Sequence, residues 1–264
     1  MLHLTESDLR FLVETVATSR RDYNHIVDLV RDKEDLLELM LEDPKLTERL
    51  LREEEALVRI SPHLLFSVLL RQLRKELDNE TYILEVDPRG KRVPIFEGPA
   101  VAGMLSDKET RDYLAEMLSS FARTNSGIIY RKECGTWHKR RFCDIDIDDM
   151  MELARIADPE MRPGLYKRIA DLALFLSGIF PDHAALFEAT RKTMSLPKRT
   201  LKDYEQAGKR FYSIAALETD QVRWKPVLGT LAEKFTLARL ALNSLSERYV
   251  KTLRAPYFRF PTES

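Results

Sequence analysis

Apolar positions in this chain recur mostly at intervals of three and four, the period of helices buried on one side. Leu9, Leu12, Val13 and Val16 open the pattern behind Thr5 and Asp8, an N-cap followed by an acidic first turn. Tyr23, Ile26, Val27 and Val30 carry it on. Leu36, Leu37, Met40 and Leu41 form a short face that stops at Asp43-Pro44, because a residue before proline is pushed out of the helical region. Leu46, Leu50, Leu51 and Leu57 belong to a helical stretch with a solvated charged side, Glu53-Glu54-Glu55 included. Ser61-Pro62 is a strong helix start, with serine as cap and proline at the first helical position. Leu64, Leu65, Val68, Leu69, Leu73 and Leu77 then make a wide apolar face.

The period shortens to two after Asn79. Tyr82, Leu84 and Val86 share one face of a predicted strand, and Thr81, Ile83 and Glu85 the other. Asp87-Pro88-Arg89-Gly90 fits a type I turn, and Val93 to Phe96 returns as an edge strand because Pro94 cannot donate to a ladder. Ser106-Asp107-Lys108-Glu109 reads as a capping box opening a helix with Tyr113, Leu114, Met117, Leu118 and Phe121 on one face. Thr124 to Gly127 breaks that helix. Ile128 to Phe142 forms a second hairpin, turning near Cys134-Gly135-Thr136.

The most apolar run lies further on. From Ala170 to Phe180 eight of eleven residues are apolar and Asp171 is the sole charge. This predicts a central helix, Leu165 to Pro181, covered on several sides by the rest of the chain. Pro181 and Pro197 bracket a helical segment around Leu186 and Phe187. Tyr204, Gly208 and Tyr212 fall at intervals of four, and the glycine lets a neighbouring helix approach, with Ser177-Gly178 as the mating surface. Leu228, Leu231, Phe235, Ala238, Leu242, Leu245 and Tyr249 form a heptad seam, suited to shallow packing or to self-association as a homodimer through 228–249. The tail, Pro256 to Pro261, is aromatic and proline-rich. The fold class is mainly α, a multi-helix bundle with one or two small β-hairpins in the middle third. The expected divisions are N-terminal helices in 1–60, a helix and hairpin subdomain in 61–145, and a helical bundle in 146–264 that packs with the N-terminal helices.

Composition changes this picture little. Nine glycines in 264 residues are too few for a turn-rich β fold. A net charge of −1 supplies no global attraction to nucleic acid or anionic lipid, so such binding needs a local patch. Two cysteines give no disulfide framework, and the first residues lack the basic-then-apolar pattern of a signal peptide. No run is long and apolar enough for a membrane span. The expectation is a cytoplasmic protein.

The second hairpin is the best chemical lead. Arg131, Lys132, Lys139, Arg140 and Arg141 are gathered by one turn, with Tyr130, Trp137 and Phe142 interleaved. Cations bind phosphates and aromatics stack on bases. Arg131, Lys132, Trp137, Lys139, Arg140 and Arg141 are therefore candidate nucleic-acid contacts. The competing reading pairs these cations with Glu133 or with the aspartates of 144–149. Cys134, His138 and Cys143 have zinc-binding side chains, yet a structural site needs four ligands, and zinc is the only cofactor suggested. Asp144, Asp146 and Asp148 resemble a calcium loop, but Asp149 and Arg155 stand where its glycine and glutamate belong, so they read better as the start of a helix. Asp171 is either paired with Arg168, Lys209 or Arg210, or a pocket carboxylate of an enzyme. No nucleophile constellation and no phosphate-cradling glycine loop is present.

Two resemblances bear on these readings. Arg168 to Phe175 with Gly178-Ile179-Phe180-Pro181, Tyr204, Gly208 and Tyr212 resembles a pattern shared by helical bacterial proteins without assigned activity. It implies a helical fold and no particular site. From Ser61 to Cys143 the element order is similar to that of a winged-helix DNA-binding domain, with Gly127 to Lys132 and Gly135-Thr136-Trp137 as strand and wing. That resemblance implies that the helix from Asp107 enters the major groove. The leading expectation is a non-enzymatic protein acting through protein contacts. Nucleic-acid binding through the basic hairpin is the alternative, and an enzyme centred on Asp171 the second.

Overall fold

In the computed structural model the chain is mainly α-helical, with two small two-stranded sheets among the described residues. The structure describes residues 4–18, 22–86, 91–122, 126–133, 136–143, 146–181 and 199–253; for Val86 and the strands within 126–143 it describes the backbone only. The turn at Asp87 to Gly90, the segment around Leu186 and Phe187, and the tail from Pro256 lie outside the described residues. The chain divides into two compact units, one from 1–85, 92–122 and 244–264, the other from 86–91 and 123–243.

The first unit holds α1 (Glu6–Val16), α2 (Tyr23–Asp32), α3 (Glu34–Leu41), α4 (Pro44–Arg52), α5 (Glu54–Arg59), α6 (Pro62–Leu77), β1 (Ile83–Val86), β2 (Arg92–Ile95), α7 (Gly98–Ser106) and α8 (Lys108–Phe121). Side-chain caps start four of these eight helices, α1, α4, α6 and α8. Thr5 accepts from the Asp8 amide, and Asp8 returns the bond, closing a capping box. The Asp8 carboxylate is fully buried, and its other oxygen accepts from the Ser61 amide at 2.7 Å, which ties the start of α1 to the start of α6. Ser61 caps α6 by accepting from Leu64. The α8 cap is Asp107 rather than Ser106, one residue later than the predicted box, because its carboxylate accepts from both the amide and the hydroxyl of Thr110. α6 packs against α7 and α8, with Leu64, Val68, Leu69, Leu73 and Leu77 out of water.

Of the two faces of β1, the one that carries Ile83 turns inward. Ile83 is buried, whereas Tyr82 and Leu84 are exposed. Alternation fixes which residues share a face but not which face turns inward. α8 is also no free recognition helix. Thr110, Arg111, Asp112, Tyr113, Leu114 and Ala115 are all buried, so its first turns cannot lie in a DNA groove.

The second unit holds β3 (Ser126–Glu133), β4 (Thr136–Cys143), α9 (Ile147–Ile156), α10 (Arg162–Ile179), α11 (Leu201–Glu218), α12 (Trp224–Glu233) and the greater part of α13 (Phe235–Leu245). α10 is the apolar helix the sequence singles out, and Leu172, Phe175 and Ile179 are buried as expected. It packs against α9 and α11. The aspartates before α9 start that helix: Asp146 accepts from the Asp148 and Asp149 amides. The two glycines do mark close approaches, though to α13 and not to each other. A Cβ on Gly178 would sit 2.6 Å from Leu242 Cβ, and one on Gly208 would sit 2.0 Å from the Phe235 ring.

The heptad seam is used within the chain. Leu228, Leu231, Phe235, Ala238, Leu242, Leu245 and Tyr249 are all buried, and the helix breaks at Lys234. This corrects the expectation of a homodimer through 228–249, because a stripe already covered by its own chain offers nothing to a second copy. Beyond α13 a π-helical turn (Ser246–Val250) belongs to the first unit, where Arg248 donates to Glu76 and Glu80, each at 2.9 Å.

Gly208→Ala should lower the urea midpoint, since overpacking costs about 1–3 kcal/mol and the helix gain from alanine is only ~1 kcal/mol. Gly229→Ala, on α12 with open space around it, should raise the midpoint. Hydrogen bonding from Arg248 holds the Glu80 carboxyl below its ordinary value of 4.5. Stability from that pair is complete above 4.5 and fades as pH falls through the lowered value. In urea titrations at pH 7 and pH 3.5, Glu80→Gln should lose less stability on acidification than the unaltered chain.

Candidate functional site

Four places combine chemistry with position. The first is the β3–β4 ribbon in the second unit. Its antiparallel register sets Ile128 against Arg141, Ile129 against Arg140, Tyr130 against Lys139, Arg131 against His138 and Lys132 against Trp137. Residues directly opposite each other share a face, and successive residues alternate. One face therefore carries Tyr130, Lys132, Trp137, Lys139 and Arg141, and the other carries Arg131, His138, Arg140 and Phe142. The predicted nucleic-acid residues lie on one ribbon but not on one face. Their side chains lie outside the described residues. Of the aspartates that follow β4, Asp146 caps α9 and Asp148 pairs with Arg199. Asp144 lies outside the described residues.

The same register separates the suggested zinc ligands. His138 and Cys143 are five positions apart on β4, hence on opposite faces and about 17 Å apart at ~3.4 Å per residue. One zinc, with ligand bonds near ~2.3 Å, does not span that. Cys134 lies outside the described residues. No group of three metal-ligating side chains occurs among the described residues.

The second place is Asp171, with 2% exposure in α10. Lys167, one turn earlier, donates to one oxygen at 2.9 Å, and the Tyr212 hydroxyl from α11 donates to the other at 2.8 Å. A buried carboxylate whose two oxygens are both engaged in this way has its burial offset by its partners and needs no ligand to account for it. The expected partners Arg168, Lys209 and Arg210 are not the ones that make these two bonds. They are Lys167, at i−4 on the same helix, and a tyrosine.

The third place went unread in the sequence. Arg71 lies in the apolar stripe of α6 with 1% of its side chain exposed, and donates to Glu38 of α3 at 2.6 Å and to Asp112 of α8 at 3.0 Å. Lys108 reaches Asp112 and Glu34, each at 2.8 Å, and Arg111 reaches Glu38 at 3.3 Å. Burial lowers the Arg111 affinity for its proton, with the Arg71 charge adding to the effect. Lys108 is raised against its own desolvation by hydrogen bonds to Asp112 and Glu34. The signal was present: Arg71 stands three residues after Val68 and seven after Leu64, inside a stripe that is otherwise apolar.

The fourth is a trough of about 670 Å³ in the first unit, between the end of α1, α2, α3 and the turn into α4. Ile26, Leu29, Leu36, Leu39 and Met40 line it, together with Asp22, Glu42 and Asp43. Leu39 is 71% exposed. Lys75 also borders it, with its ammonium engaged by the Glu42 carbonyl at 2.7 Å. The signal here is surplus: α3 has five apolar residues in eight, more than one stripe can bury.

No family model matches this chain, and no curated protein or solved structure matches it. Neither the helical-protein pattern of 165–212 nor a winged-helix relationship gains support from them. Among the described residues β3 and β4 pair only with each other, and β1 only with β2. No helix among the described residues is long and apolar enough to cross a membrane.

The ionic cluster predicts a specific stability pattern. Arg71→Ala should cost about 3–5 kcal/mol, because Asp112 then keeps only Lys108 and Glu38 only Lys108 and Arg111, which leaves one negative charge of the cluster uncompensated. In chemical unfolding, Arg71→Met combined with Asp112→Leu should recover at least half of that loss, because no lone charge then remains inside.

Proposed function

We propose that this chain is a non-enzymatic protein-contact module, and that the trough between α2 and α3 is where the partner sits. The observation that carries this reading is Leu39, a large apolar side chain left 71% exposed beside half-buried Ile26, Leu29 and Leu36. An apolar furrow between helices suits an amphipathic helix laid in by its apolar face. The acids of the lining narrow the choice. Glu42 is offset by Lys75 and Arg74, while Asp22 and Asp43 add further negative charge. The fitting occupant is an apolar segment of another protein flanked by lysine or arginine. The pairing of Asp171 with Lys167 and Tyr212 supports this over a catalytic carboxylate. A reducing cytoplasmic setting agrees with a chain that has two cysteines and no framework of bridges.

A fluorescent amphipathic peptide of leucine and lysine, and its leucine and glutamate counterpart, test the reading by anisotropy. The lysine peptide should bind and the glutamate peptide should not. Leu39→Glu should weaken the lysine peptide at least tenfold, since burying one leucine contributes about 1.5–3 kcal/mol. Equal binding of both peptides, or binding indifferent to Leu39→Glu, overturns it. So does sedimentation showing a dimer that Leu39→Glu abolishes, which would make a second copy the occupant.

A further inference from the structure

The ribbon carries an inference that goes beyond the trough and does not depend on it. From Ser126 to Cys143 the chain holds five cations and one acid, Glu133, whereas the whole chain carries a net charge of −1. Register then sorts these residues. Lys132, Lys139 and Arg141 share a face with Tyr130 and Trp137, in the cross-strand pairs Tyr130–Lys139 and Lys132–Trp137. Arg131 and Arg140 share the other face with His138, and Glu133 is on that face too. The acid and the two larger aromatics are thus segregated from each other by alternation alone.

We infer that the face bearing Tyr130, Lys132, Trp137, Lys139 and Arg141 binds single-stranded nucleic acid. The chemistry has two parts. Lys139 and Arg141 are two residues apart on β4, about 7 Å at ~3.4 Å per residue, and Lys132 lies on the diagonal from Lys139, a spacing that suits the repeating phosphates of a backbone. Aromatic rings beside them stack on unpaired bases, which a duplex keeps hidden. A two-stranded ribbon without a third strand among the described residues leaves both of its long edges unpaired there, so it is slim enough for a strand to be drawn across one face. An interface that relied on cations alone would have no reason to place both Tyr130 and Trp137 on the face free of Glu133.

Labelled oligothymidylate and oligouridylate of twelve nucleotides, and a twelve-base-pair duplex, serve as probes for the full chain. Single strands should bind more tightly than the duplex. With three cations engaged, affinity should fall roughly 20-fold between 50 and 200 mM salt, whereas engagement of all five would give more than about 100-fold. Lys132→Gln, Lys139→Gln and Arg141→Gln together should cut single-strand affinity at least tenfold. Arg131→Gln with Arg140→Gln should change it less than threefold. A readout independent of ribbon substitutions comes from Trp224→Phe, which leaves Trp137 as the sole tryptophan; its emission should be quenched by the single strand and not by an equal concentration of duplex. The inference is overturned if no single strand binds at 50 mM salt, if the opposite-face pair loses as much as the triple variant, or if the duplex binds better with Trp137 emission unchanged. Far-ultraviolet circular dichroism of each variant must match the unaltered chain; should the triple variant unfold, the salt slope and the Trp137 quenching decide alone.

Discussion

Arg71 places a guanidinium on the inner side of α6. Taking a guanidinium out of water costs several kcal/mol, so its anions must arrive with it. They come from α3 and α8, elements distant in sequence, and α6 can therefore occupy one angular setting against both. The same constraint operates elsewhere in each unit. Asp8 brings the starts of α1 and α6 together, Asp171 fixes α10 against α11, and Arg239 of α13 meets Glu205 of α11 at 2.8 Å. In a chain where 32% of residues are charged, apolar stripes alone would permit many registers. Buried ions remove most of them, because a wrong register strands a charge.

This explains which features were legible in the sequence. Helix starts were, because a cap is a conversation between residues three apart: Thr5 with Asp8, Ser61 with Leu64. The buried helix α10 was, because its composition leaves no exposed side to choose. Gly178 and Gly208 were legible as close approaches, yet their partners were not, since Leu242 and Phe235 lie on a helix whose position only the fold decides. The seam of α12 and α13 was seen as a repeat, but a heptad pattern does not say whether its complement is in the same chain. Which face of β1 turns inward was likewise not legible, since alternation alone does not choose it.

The candidate sites divide along the same line. The cations of the ribbon were visible because a hairpin gathers neighbours in sequence. Their sorting onto two faces needed the register, and so did the separation of His138 from Cys143. The Arg71 cluster joins helices far apart in the chain, whereas the trough, Lys75 aside, is lined by residues 16–44 and depends on the angles at which consecutive helices meet. Each left one local trace: a charge inside an apolar stripe, and an apolar residue too many for the stripe it belongs to.

Charge also restricts what the ribbon can hold. Five cations and Glu133 give the ribbon +4, so the remaining residues carry −5 of the chain's net −1. Screening confines the ribbon's own attraction to a Debye length of about 8–10 Å in ordinary salt. Within that reach a compact, flexible strand can place a few phosphates against Lys132, Lys139 and Arg141 and keep the rest away. The stiffness of duplex DNA, with a persistence length near ~50 nm, denies it that accommodation. A local cationic face on a chain of near-zero net charge therefore favours a partner that can bend to a small target, which is the property that base stacking on Tyr130 and Trp137 requires as well.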